Sequence, residues 1–167
     1  NDVIGGLMER PRLVSLVYLV LHRHTGDIDY VNMGHPPPVV TTGVSESPWR
    51  WLNRGGPIAG AIPGASYETG REHLDVGDTL LLYTDGASEA ENDQGVPFSE
   101  DRLARVASQH RALSAARTIE ALHAEIEVFR ADRSNRDDVT LVVVRRRAGH
   151  VEPDDHSQIA GTEGSGT

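Results

Sequence analysis

The hydrophobic pattern divides the chain into a β-rich first half and a helical second half, closed by one more apolar run. Leu13 to Leu21 is almost continuously apolar and rich in β-branched residues, which suits a central strand covered on both faces. His24-Thr25-Gly26-Asp27 supplies turn residues and Ile28 to Met33 returns as a second strand, so the pair predicts a hairpin. Gly34-His35-Pro36-Pro37-Pro38 ends that strand, because three successive prolines bring no backbone donors to a ladder. Val39 to Thr42 and Trp49 to Leu52 predict short strands around a turn at Gly43 to Pro48, and Arg54 to Gly64 is a glycine-punctuated loop of functional length. Tyr67 to Leu74 and Thr79 to Tyr83 flank Asp75-Val76-Gly77-Asp78, a second hairpin signal.

Helices follow. Ser99 is a good N-cap, Glu100 and Asp101 place negative charge in the first turn, and Phe98 is positioned to staple onto Leu103; the helix is predicted to run to about His110. A second helix begins after Ser114 and places Ile119, Leu122, Ile126 and Phe129 on one face, which predicts packing on a sheet. Val139 to Val144 reads as a final buried strand that Arg145-Arg146-Arg147 ends in solvent. Residues 148–167 turn to Gly, Ser, Pro and acids without Arg and read as a disordered acidic tail, leaving 1–147 as one domain.

Composition narrows the classes. A chain of 167 residues with 38% apolar content can bury one core. The formal charge of -9 argues against nonspecific nucleic-acid binding, since most of the surface repels a phosphate backbone. The absence of cysteine removes disulfides, zinc-thiolate sites and a thiol nucleophile, and fits a reducing, cytoplasmic setting. No stretch approaches the roughly 20 apolar residues of a membrane span. All 16 basic residues are Arg, a bias of genome composition rather than of chemistry.

The chemistry concentrates in two places. Tyr83-Thr84-Asp85-Gly86 closes the apolar run Thr79 to Leu82, and Arg136-Asp137-Asp138-Val139-Thr140 opens another such run. A carboxylate at the mouth of a buried strand is costly unless solvent, a donor or a cation compensates it, and two of them at converging strand ends suit a hard metal ion. Taken singly, each motif also reads blandly: Asp85-Gly86 as a turn dipeptide, Asp137-Asp138 as an Asx turn or a solvated pair. His22, His24 and His35 read as hairpin and loop residues, for none has a partner at recognisable ligand spacing. The loop 54–64 lacks the lysine and spacing of a P-loop, Trp49 and Trp51 read as packing residues, and Ser88 has neither a nucleophile elbow nor an evident base.

The joint order of four segments is more specific than any one. Tyr30-Val31-Asn32-Met33-Gly34-His35-Pro36-Pro37-Pro38, then Arg54-Gly55-Gly56-Pro57-Ile58-Ala59-Gly60, then Leu80 to Ala90, then Asp137-Asp138-Val139-Thr140-Leu141 together resemble the metal-dependent protein serine/threonine phosphatases of the PPM type, in their SpoIIE-like branch. The resemblance spans about Leu13 to Arg147. It implies an α+β fold, a two-layer antiparallel β-sandwich flanked by helices, with two Mn2+ or Mg2+ ions at one end that activate a water for attack on phosphoserine or phosphothreonine. By motif, Asp85 and Asp137 carry over as metal ligands and Asp138 as a neighbour that does not ligate; Glu89 is characteristic of the branch without an assigned role.

One departure is large. The family opens with an Asp-x-x-Gly-His-Gly type segment that bridges the metals, and nothing before Leu13 resembles it; residues 1–12 look like the end of a helix. The resemblance therefore implies an N-terminally incomplete catalytic domain. Three readings stand: a phosphatase acting on a phosphorylated regulatory protein such as an anti-sigma-factor antagonist, a catalytically inactive truncated phosphatase acting as a regulatory binding module, and a β-sandwich module whose Asp85 and Asp137 hold a structural calcium.

Overall fold

The computed structural model describes residues 13–44, 46–130 and 137–148; the expected helix end at 1–12 and the tail beyond 148 lie outside the described residues. The described residues form two four-stranded sheets and three helices. In the first sheet β1 (Leu16–Leu21) pairs antiparallel with β2 (Asp27–Met33), and β2 also pairs with β5 (Gly55–Gly56) and β6 (Gly70–His73). In the second the order is β4 (Trp49–Trp51), β3 (Val39–Thr41), β7 (Thr79–Tyr83), β8 (Leu141–Arg145), all antiparallel. Helix α1 is a single turn, Asp85–Ser88; α2 is Glu100–Gln109 and α3 is Ala115–Phe129.

Strand alternation sorts side chains into two cores. Val40 and Leu80 point with Ile28, Tyr30, Leu52 and Leu74 into the space between the sheets. Their neighbours Val39 and Leu81 point the other way, into a core shared with Leu103, Ala107, Leu122 and Ile126 of α2 and α3. The layers are thus sheet, sheet, helices. The predicted caps hold: Ser99 Oγ accepts from the Arg102 amide at 3.3 Å and Ser114 Oγ from Arg117 at 3.3 Å. Arg102 lies over the rings of Phe98 and Phe129, 4.8 and 4.4 Å from their centroids, and seals the end of the helical layer.

Three expectations change. The turn at Asp75–Asp78 joins no hairpin, because β6 pairs with β2 and β7 with β3; here the chain crosses from one sheet to the other. The run from Leu13 begins its strand at Leu16 and sits at a sheet edge, with Tyr18 62% exposed, since its outer side has no strand partner among the described residues. Arg146 is no solvated terminus: its guanidinium donates to the carbonyls of Leu74 and His24 and approaches His73 Nε2 at 3.2 Å, closing the sandwich end. Among the described residues no helix is long and apolar enough to cross a membrane.

Candidate metal-binding end of the sandwich

Strand pairing brings the two acidic motifs together. β7 and β8 run antiparallel with Tyr83 opposite Leu141, so the residue after β7 meets the residue before β8. Thr84 makes the joint. Its amide donates to the Thr140 carbonyl at 3.1 Å, its hydroxyl donates to the Asp138 carbonyl at 3.1 Å, and the same oxygen accepts from the Thr140 amide at 3.0 Å. Thr is suited to this because one hydroxyl both donates and accepts.

Asp85 then starts α1, with its Oδ1 accepting from the Gly86 amide at 2.9 Å. Gly86 is buried, and a Cβ there would lie 2.5 Å from the Asp138 carbonyl oxygen and 3.2 Å from Asp137 Cβ. Only glycine permits that approach, which is why Thr-Asp-Gly faces Asp-Asp across the sheet end. Arg130, at the C-cap of α3, donates from Nη2 to the Gly86 carbonyl at 3.1 Å and tethers α1 from the helical side. Ser88 donates to the Asp85 carbonyl at 3.2 Å, a bond within the α1 turn.

Asp85, Asp137 and Asp138 are all exposed, and no ion pair joins any of them to a basic side chain among the described residues. Behind them the Tyr83 phenol is buried and faces Glu100; burial raises both groups above their ordinary pKa values, and the Asp101 charge raises Glu100 further. The end is therefore acidic at its surface and apolar beneath. Hard carboxylate oxygens of this kind fit Mn2+ or Mg2+ in type. They do not fit two ions in number, for among the described residues no group of three His, Asp or Glu side chains is placed to hold a metal.

Beside the Thr84 joint opens a cleft of about 280 Å³ between the edge strands β1 and β8, lined by Ser15, Leu16, His35, Thr84, Thr140 and Val142 among others. His35 reaches this cleft on a loop anchored by a side chain three residues back. The buried Asn32 accepts from the His35 amide at 2.8 Å and donates to its carbonyl at 2.9 Å. The signal available in sequence was Asn-x-x-His followed by three prolines, a capped turn with a fixed exit. His22 and His24 lie at the opposite end, where His22 faces Asp29 at 3.2 Å.

Solved structures and curated sequences resemble this chain in sequence and fold. The RsbU and RsbW domains of a Mycobacterium tuberculosis protein superpose with a TM-score of 0.68 at 27% identity, covering 89% of this chain and 40% of theirs. The SiaA-PP2C domain of Pseudomonas aeruginosa gives a TM-score of 0.73 at 18% identity over 86% of this chain and 56% of that one, a likeness of fold. The phosphoserine phosphatase RsbU of Bacillus subtilis is 22% identical over 147 residues, 88% of this chain and 43% of RsbU. The chain spans less than half the length of the curated relatives it matches. With residues 1–147 matching the model of the stage II sporulation protein E (SpoIIE) family, this chain belongs to that family, within the PPM-type phosphatase fold.

Proposed function

We propose that the protein carrying this chain is a metal-dependent phosphatase that removes phosphate from serine or threonine of a regulatory protein, such as an anti-sigma-factor antagonist, with Asp85 and Asp137 as metal ligands. The observation that supports the reading is the Thr84 joint, which brings the Asp85 and Asp137-Asp138 segments to one sheet end, where their carboxylates form no ion pair among the described residues. The relatives support it: RsbU is a phosphoserine phosphatase, and a SpoIIE phosphatase domain of B. subtilis is known in Mn-presoaked form.

When bound, Mn2+ or Mg2+ would lower the pKa of a water and neutralise phosphoryl oxygens. The chain's own residues supply the rest. Asp85 and Asp137 present negative charge, Thr84 and Gly86 fix their separation, and Arg130 holds the α1 turn against α3. Ions of this kind take six or more oxygen ligands, so waters and further residues complete the set.

A second reading, a regulatory binding module without activity, is favoured by one fact: the described residues offer no three-ligand cluster. Hydrolysis of a phosphoserine peptide by the full-length protein, with and without manganese, separates the two. The phosphatase reading expects manganese-dependent turnover that falls by orders of magnitude in Asp85→Asn and Asp137→Asn, and far less in Asp138→Asn. Robust metal-free turnover, or loss greatest in Asp138→Asn, would overturn the ligand assignment; no turnover in any metal would overturn the phosphatase reading.

A further inference from the structure

We propose that Arg130 is a positioning residue of the metal site, through which the last turn of α3 sets how tightly Asp85 and Asp137 hold a cation. The inference rests on the ligand assignment above and adds to it a residue that stands in neither acidic motif.

Three observations carry it. The first concerns a buried carbonyl. Helix α1 is a single turn, and the backbone bonds that close it run from the Ala87 amide to Thr84 and from the Glu89 amide to Asp85. The carbonyl of the buried Gly86 takes its donor from the Arg130 guanidinium, at 3.1 Å and 44 residues away in sequence. A buried backbone oxygen in a helical turn needs such a donor.

The second is the stiffness of the support. The Arg130 side chain is only 11% exposed, its amide bonds the Ile126 carbonyl at 2.9 Å, and Glu127 faces its Nη1 at 3.5 Å. Leu122 and Ile126 fasten the same helix into the core behind the second sheet, so the guanidinium reaches α1 from a fixed base.

The third is how the charge is used. Among the described residues Arg130 pairs with Glu127 and forms no ion pair with Asp85, Asp137 or Asp138. A guanidinium on those carboxylates would compete with a metal; spent on the carbonyl next to Asp85, it fixes the backbone and leaves the carboxylates open. Gly86 meets the Asp137-Asp138 segment as well, so α1 is held between Arg130 and the second motif. Without the tether α1 is free to tilt, and the spacing of the two carboxylates, on which metal affinity depends, is no longer set.

The full-length protein is titrated with manganese by calorimetry and assayed on a phosphoserine peptide across manganese concentrations, for wild type, Arg130→Met, Arg130→Lys and Arg146→Gln. Met keeps an apolar stem and removes every donor, Lys restores a donor without the fork, and Arg146→Gln reports what a loss of stability at the far end does by itself. The manganese dissociation constant and the half-activating concentration are expected to rise about 10-fold or more in Arg130→Met, less in Arg130→Lys and not at all in Arg146→Gln, with the peptide KM unchanged and turnover largely regained at saturating manganese. Unchanged manganese affinity in Arg130→Met, a loss matched by Arg146→Gln, or a raised peptide KM at saturating manganese would overturn the proposal, the last by making Arg130 a substrate contact. Should Arg130→Met fail to fold, hydrogen exchange of the wild type decides: coupling is reciprocal, so manganese must slow exchange at the Arg130 amide, and an unaltered rate overturns the proposal. A wild type that binds manganese without hydrolysing the peptide fails the phosphatase reading and leaves the Arg130 comparison standing on binding; one that binds no manganese fails both.

Discussion

The two ends of the sandwich draw on the same residue types and use them differently. At the end that holds Arg146, carboxylates are spent on the fold: Asp27 lies 2.7 Å from His73 Nδ1, and Asp29 is shared between His22 at 3.2 Å and Arg71 at 3.0 Å. The bonds from Thr25 and His73 hold the Asp27 carboxyl below its ordinary pKa. At the other end Asp85, Asp137 and Asp138 are held by their backbones, through Thr84 and Gly86, while their side chains form no ion pair among the described residues. Folding that fixes the position of an acidic group without neutralising it leaves that charge available to something else, and a hard cation is the natural complement.

The comparison implies that changes at the Asp85 end damage activity and changes at the Arg146 end damage only stability. Gly86→Ala is the strongest test. Its Cβ would stand 2.5 Å from a backbone oxygen, so the two motifs must part. Overpacking of this kind costs about 1–3 kcal/mol, and activity of the full-length protein is expected to collapse beyond what that loss explains. A fully active Gly86→Ala would show that the separation of the two motifs is unimportant. Thr84→Val comes next: it removes the donor to Asp138 and the acceptor for the Thr140 amide, at about 1–3 kcal/mol. Denaturant melts measure the first effect and manganese-dependent turnover the second, and both are expected to fall.

Arg146→Gln is the counterpart at the far end. It loses the bonds to Leu74 and His24 at a cost of about 1–2 kcal/mol, with kcat unchanged below the melting transition; a large change in kcat would erase the distinction between the ends. The smallest effect is Asp78→Asn. Asp78 is buried near the same end, and burial raises its pKa above the ordinary 3.8, although its Oδ2 accepts from the Asp75 amide. A raised folded pKa means that its contribution to stability is fully present below 3.8 and is lost as pH rises through the folded value. Asn keeps the acceptor and removes the charge, so the variant is expected to melt slightly higher at pH 7, by less than about 1 kcal/mol, and to lose that advantage below about pH 4. Melts across pH that show the reverse trend would reject the burial argument.

Local signals made the helices legible. Ser99 and Ser114 announce themselves as caps because capping depends on a residue and an amide three positions away. The β1–β2 pairing was legible for a similar reason, since a short turn leaves its flanking strands little choice. The turn at Asp75–Asp78 misled because β6 and β7 had competing partners, β2 and β3, that lie far away in sequence. Arg146 misled likewise, as its acceptors are 72 and 122 residues distant.

For the site, the sequence alone determined the kind of chemistry: two acidic motifs, each beside an apolar run, with residue types that suit hard cations. It also determined that Gly86 and Thr84 accompany Asp85, although not what they are for. Tertiary structure decided the rest. Only the β7–β8 register sets Thr84 against Asp138 and Thr140, only the Asn32 clamp holds the turn that brings His35 to the cleft between β1 and β8, and only the ion pairs at the far end show which carboxylates are spent. The physical reason is common to all three. A residue's type is local, but whether its charge is paired and what its side chain can reach depend on neighbours that the fold brings from other strands.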